Sequence, residues 1–300
     1  MNGIQKTFKL RPNWTVCGVK IKVERKLKMS KEEIFKNIPY IKVYRHDITD
    51  SFDLYFGQNK NNKDNCRIDV KGFAYYNCET TKAKSNCYRY YLELEMNNPQ
   101  NNKTLVVLML NPSNTFPEMN GKKSTVDGTV KNAVRIAYKA GYSKVIILNS
   151  FNYIDGNSLT AIKSTKQTSN NTNTKIILNV LKEHKELMIA WGTKVRQKDK
   201  NNILSSIWDI TADLKIFTYA WNKNSNCPYH PATRVDNKKN DFPLTKFLTG
   251  KSNLLELAVK KQNDKFDLIL KGQIRLCQNW HSMALNKKGK KRNVFLENKN

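Results

Sequence analysis

The stretch that most constrains this chain is Thr104–Ser113, which reads Thr-Leu-Val-Val-Leu-Met-Leu-Asn-Pro-Ser. Its apolar run, Leu105 to Leu110, shows no polar alternation and stops at an Asn-Pro turn. A run of that kind fits a strand covered on both faces, as in the middle of an α/β sheet. Open α/β sheets hold their ligands where such strands end, so Asn111 is the first candidate site residue.

The surrounding sequence repeats the theme. Arg89–Met96 reads as a strand, and Lys144–Asn149, Leu187–Gly192 and Leu214–Tyr219 are further apolar strands. Between them lie helical patterns. One opens at Asp127, carries Val130, Ala133, Val134 and Ala137 on one face, and ends at Gly141. A second runs from about 174 to 184 with Ile176, Ile177, Val180 and Leu181 apolar, and a third from about 199 to 208 with Ile203, Leu204 and Ile207. Strands alternating with helices predict parallel pairing through right-handed crossovers. The expected fold class is α/β, with a central four-stranded, mainly parallel sheet and helices on both faces.

This domain is expected over residues 88–250. Residues 1–87 read as a mixed or β-rich accessory module. It has a strand near 16–23, a capping box at Ser30–Glu33 opening a short helix through Phe35, and short strands at 40–45, 52–56 and 67–76. Residues 251–300 form a C-terminal extension. Its strands at 254–259 and 266–270 suit a hairpin packed against the N-terminal module, and its tail, Lys287–Arg292, is a basic run.

The formal net charge of +28 points to a polyanionic partner, above all nucleic acid, although a lysine-rich surface without such a role gives the same number. An acidic protein partner is the other reading of that charge. The six cysteines include no C-x-x-C pair and no Cys/His cluster with zinc spacing. They read as free thiols of a reduced, cytoplasmic protein. No apolar run is long enough for a membrane span, and no metal or cofactor is expected.

Four marked positions fall at or just beyond the carboxyl ends of the four expected strands: Asn111-Pro112, Asn149-Ser150-Phe151, Trp191-Gly192 and Tyr229-His230-Pro231. In a parallel sheet all four open on one edge. Singly, each has an ordinary explanation as a turn, a cap or a core residue. Together, in this order, they resemble the uracil-DNA glycosylase superfamily, and within it an uncharacterised bacterial and phage branch with Asn-Pro-Ser, Asp-x-Thr (here Asp127-Gly128-Thr129), Asn-x-Phe, Trp-Gly and His-Pro motifs. The resemblance covers about residues 88–248.

That resemblance implies roles. Asn111 takes the place of the residue that positions water. Asn149 takes the place of the Asn that reads the Watson–Crick edge of a flipped uracil. His230 takes the place of the His that hydrogen-bonds the base carbonyl as negative charge grows on it. Phe116 or Phe151 stacks on the base, and the sequence does not choose between them. The residue types suit the reaction. Glycosidic cleavage leaves an anionic base, which needs fixed donors, and a carboxamide offers a pyrimidine edge both a donor and an acceptor. The chain also departs from the active enzymes. Asn at 111 orients water but cannot act as a base, Ser113 replaces an aromatic, and the second motif reads His-Pro-Ala-Thr with Arg234 placed to contact phosphate. The expectation is a DNA-binding, monofunctional glycosylase for uracil or a related base. The alternatives are a nucleic-acid-binding relative without activity and a protein-interaction module on the same fold.

Overall fold

The fold is that of a computed structural model, which describes residues 35, 42–54, 67–78, 87–97, 102–112, 125–165, 167–222, 225, 227–232, 254–263 and 265–270. The expected strand at 16–23, the capping box at Ser30, Phe116, Arg234 and the basic tail lie outside the described residues.

Nine strands form one mixed sheet. They are β1 (Tyr44–Asp53), β2 (Arg67–Tyr76), β3 (Arg89–Met96), β4 (Thr104–Met109), β5 (Lys144–Asn149), β6 (Glu186–Ile189), β7 (Lys215–Thr218), β10 (Leu255–Gln262) and β11 (Lys265–Leu270). Their order is β1-β2-β3-β5-β4-β6-β7-β10-β11. The short strands β8 (Trp221–Asn222) and β9 (Cys227–Pro228) pair separately. The helices are α1 (Gly128–Lys139), α2 (Ser158–Ser164), α3 (Gln167–Glu183) and α4 (Gln197–Ile207), the last followed by a 3-10 segment, Trp208–Asp213.

This corrects the expected fold class. A four-stranded parallel sheet with helices on both faces is not what the chain builds. Parallel pairing is confined to β5-β4-β6-β7, the middle of the sheet. The antiparallel strands β1, β2 and β3 extend one side and β10 and β11 the other. The physical reason is edge satisfaction. An exposed outer strand leaves a row of unpaired backbone groups, and the segments read as accessory pieces supply the missing ladders. The C-terminal hairpin therefore pairs with β7, with Leu257 opposite Ile216, and not with the N-terminal strands.

The core divides into two clusters, and strand alternation assigns them to opposite faces. Leu105, Val107 and Met109 of β4 and Val145 and Ile147 of β5 pack with Val130, Ala133, Val134 and Ala137 of α1. Val106, Leu108, Ile146 and Leu148 pack with Ile176, Val180 and Leu181 of α3 and Leu204 and Ile207 of α4. The first helix forms where the apolar spacing and its cap require. Asp127 Oδ1 accepts from Val130 N at 2.9 Å, and Gly141, just past the end, takes φ 84°.

Two details position the site. The β2–β3 register shifts by one residue: Tyr75 faces Tyr91, whereas Tyr76 faces Arg89, so Tyr90 is an extra residue on β3. In addition, Cys78 and Cys87 are joined in a disulfide across the ends of β2 and β3. The expectation of free thiols fails there because antiparallel pairing carries the two cysteines opposite each other, with Cα atoms 5.8 Å apart. Cys227 is free and buried. Among the described residues, no helix is long and apolar enough to cross a membrane.

Candidate functional site

The parallel strands all open on one rim, and the strand order reverses between β4 and β6, where such sheets leave a crevice. His230 reaches that rim on a loop held from several sides. Tyr229 N donates to Ala220 O at 3.0 Å, and Asn132 Nδ2 of α1 donates to Pro231 O at 2.7 Å. Beneath it, Gly192 has φ +77°, and a Cβ there would lie 2.7 Å from His230 Cβ. The Trp-Gly and His-Pro motifs thus meet. Glycine is required at 192 both for its backbone conformation and for the close approach.

The state of His230 follows from its surroundings. Ala232 N donates to Nδ1 at 3.1 Å, so Nδ1 is the acceptor nitrogen and the neutral ring carries its proton on Nε2. Burial, opposed by the nearby Asp127 and reinforced by Lys194, pushes the imidazole down to about 4. At neutral pH it is an uncharged donor.

Asn149 ends β5. It follows Val145 and Ile147 in alternation and so shares the α1 face with them. It is 2% exposed, and its Oδ1 has no hydrogen-bond partner among the described residues. A buried acceptor left unpaired costs roughly 1–3 kcal/mol. Asn111, at the end of β4, is half-buried. Its Nδ2 donates to Asp155 O at 2.8 Å and to Pro112 O at 3.1 Å, which ties the loop after β4 to the loop after β5. The fixed amide directs Oδ1 as its acceptor.

The rim thus brings Asn149 and His230 to the α1 face, with Asn111 at the neighbouring strand end. Phe151 goes elsewhere. It is buried in the opposite cluster with Trp191 and Ile189, away from Asn149 and His230. On that side a cleft of about 620 Å³ opens between α3 and α4, lined by Ser150, Phe151, Thr174, Lys175, Asp199 and Asn202. Asp199 is already engaged there, accepting from Arg196 Nε at 2.7 Å.

One residue was not singled out from the sequence. Arg89, the first residue of β3, is 1% exposed, and its guanidinium lies beside the Tyr76 phenol. It faces Tyr76 in the register, and Tyr76 belongs to the α1-side cluster. Burial raises the Tyr76 phenol, against the pull of the nearby Arg89 charge and of a side-chain hydrogen bond with that arginine, and with a smaller push from Asp127. The sequence signal was a lone cation in the otherwise apolar and aromatic run Cys87-Tyr88-Arg89-Tyr90-Tyr91-Leu92.

Residues 89–232 match the model of a family described as Protein of unknown function (DUF1643). The matched segment begins at Arg89 and takes in Asn111, Asn149, Gly192 and His230. No curated protein and no solved structure matches the chain.

Proposed function

We propose that this chain is a monofunctional DNA glycosylase that hydrolyses the N-glycosidic bond of uracil or a related base, acting in the cytoplasm. The observation that carries the reading is the pair on the α1 face: a buried Asn149 Oδ1 without a partner, and a neutral His230 whose proton is on Nε2. A flipped uracil offers complementary groups, with a ring N–H for Asn149 Oδ1 and a carbonyl for His230 Nε2–H. In the reaction, the bond from C1′ to the base nitrogen breaks and its electron pair stays on the base. Water oxygen adds to C1′ and loses a proton, which restores the base to its neutral form. Asn111 orients that water through Oδ1 and takes no proton. A neutral imidazole aimed at the growing negative charge contributes about 2.7–4 kcal/mol to the transition state.

The test uses the purified full chain and oligonucleotides with one uracil, single-stranded and duplex, at low salt. Alkali-labile abasic sites are expected in the wild type, and their loss in Asn149→Ala and His230→Ala. Intact strands after long incubation with freshly prepared wild type count against the enzyme. The net charge of +28 also supports a second reading, a DNA-binding relative without activity. That reading expects retention of DNA that weakens steeply with salt, without base release.

A further inference from the structure

We propose that Cys78 and Cys87 form a reversible thiol–disulfide exchange site, and that its state controls how firmly the loop after β5 is held. The site rests on the fold and on the cytoplasmic setting proposed above. What it regulates rests on the glycosylase reading.

The bridge lies on the α1 face, where Cys87 is 3% exposed and the half-buried Cys78 packs against the same cluster. It sits one step beyond a mutual pair: Asn77 N donates to Tyr88 O at 3.1 Å, and Tyr88 N donates to Asn77 Oδ1 at 2.6 Å. From β1, His46 Nε2 donates to Cys78 O at 3.3 Å. The other edge of residues 87–89 holds the loop after β5. Ile154 N donates to Cys87 O at 3.0 Å, Arg89 N donates to Asn152 O at 2.9 Å, and Tyr88 pairs with Tyr153 in an antiparallel bridge. The rings of Tyr88 and Tyr153 meet edge to face, with centroids 5.6 Å apart. That loop passes the restraint to the rim. Asp155 N donates to Pro112 O at 3.1 Å, and Asp155 O accepts from Asn111 Nδ2 at 2.8 Å. Cys87 is thus both one half of the bridge and an acceptor for the loop that fixes Asn111.

Disulfides in cytoplasmic proteins are rare, and those that form are chiefly transient or redox-sensing. The reductant here is a low-molecular-weight thiol of the glutathione class. Its thiolate attacks Cys78 Sγ, the sulfur of the more open residue. The bond to Cys87 Sγ breaks, and Cys87 keeps the electron pair and takes a proton from solvent. A second small thiolate attacks the small-molecule sulfur of the mixed disulfide, which releases the small disulfide and leaves Cys78 as a thiol once it is protonated. The pair gains two electrons and two protons, and two small thiols become one disulfide. The small disulfide drives the reverse step. In the open state the start of β3 keeps its hydrogen bonds but loses its covalent anchor to β2. The loop that leans on Cys87 O then opens more often.

The experiment equilibrates the full chain in buffers of reduced and oxidised glutathione, traps free thiols by alkylation and reads the pair by mass. The pair is expected to interconvert over ratios that bracket the cytosolic poise. A pair that stays oxidised throughout is a structural bridge, and one that stays reduced throughout is no bridge; either overturns the proposal. Amide hydrogen exchange in the two end buffers reads the coupling. Reduction should accelerate exchange at Arg89, Ile154 and Asp155 by about tenfold more than in β4. An equal change at all of these amides reports a loss of overall stability alone and overturns the proposal, as does no change. The double variant Cys78→Ser, Cys87→Ser is expected to show the reduced pattern in both buffers. A difference between buffers that persists in that variant belongs to another cysteine and also overturns it.

The two readings fail separately. Uracil release by wild type is expected to fall about threefold or more on reduction, because Asn111 is then less firmly placed. Release that ignores the redox state removes this proposal alone. A local change in exchange without any uracil release removes the enzyme and leaves the exchange site.

Discussion

The two faces of the sheet differ at the same rim. The α3–α4 side has the room, a cleft of about 620 Å³, but the carboxylate in its wall, Asp199, is already held by Arg196. The α1 side has the buried Asn149, whose Oδ1 has no hydrogen-bond partner among the described residues, and the α3–α4 side has Asn173 Oδ1 and Trp191 Nε1 in the same condition. Void volume records how loosely two helices meet. Unmatched polar atoms record free energy that the fold has not recovered. Both faces carry such atoms, so what separates the α1 side is His230, whose neighbour Pro231 is tied to α1 by Asn132.

The largest effect that would sharpen this contrast is expected at Gly192. Gly192→Ala places a methyl group 2.7 Å from His230 Cβ on a backbone at φ +77°. The strain and displacement should cost about 3 kcal/mol in chemical denaturation and remove base release altogether. Next is the Cys78–Cys87 bridge, which spans nine residues immediately before Arg89. Replacing both cysteines with Ser should cost about 2–3 kcal/mol under oxidising conditions. The same change should leave fully reduced protein nearly unaltered, which differential melting with and without reductant would show.

Acidity comes third. Burial holds His230 near 4, below its ordinary value, so between about pH 6.5 and 4 the unfolded chain binds the proton and the folded chain does not. Stability should therefore fall as pH falls through that window, by about 2 kcal/mol after allowance for partial exposure. His230→Gln should flatten the curve, and a parallel slope in that variant would assign the acid sensitivity to other groups. Asp127→Ala should cost about 1 kcal/mol through loss of the α1 cap. The smallest effect is expected across the sheet. Asn202→Phe, which sends a ring into the α3–α4 cleft, should alter stability by about 0.5 kcal/mol or less and leave uracil release intact. If it abolishes release, the contrast between the faces fails.

The sequence was most legible where one kind of force acts alone. The buried strands β4 and β5 match their apolar runs, and α1 begins at the Asp127 cap and ends before Gly141 as its spacing requires. Strand partnership was less legible. Arg67–Tyr76 reads as a strand, but nothing in its residues says that it completes the ladder of β3, because that depends on an edge left open elsewhere. The disulfide was hidden for the same reason, since sequence spacing does not show which strand ends will face each other. The rim positions of Asn149 and His230 were legible because turn chemistry marks strand ends. Phe151 was ambiguous because one step along an irregular rim carries a side chain to the other side, and it joined the core around Trp191. Arg89 was passed over because a cation at a strand start is ordinary until its burial is known.

The extra residue in β3 has a consequence for which face of the sheet the start of that strand presents. With Tyr75 opposite Tyr91 and Tyr76 opposite Arg89, Tyr90 resets the alternation of the strand just before its first residue. Were Tyr90 to enter the ladder as an ordinary strand residue, Arg89 would share the face of Tyr91, on the α3 side; deleting Tyr90 would keep Tyr76 opposite Arg89 and leave the face of that cation unchanged. The side on which that cation lies is thus set by whether one residue stays out of the ladder, and not by which residue it is.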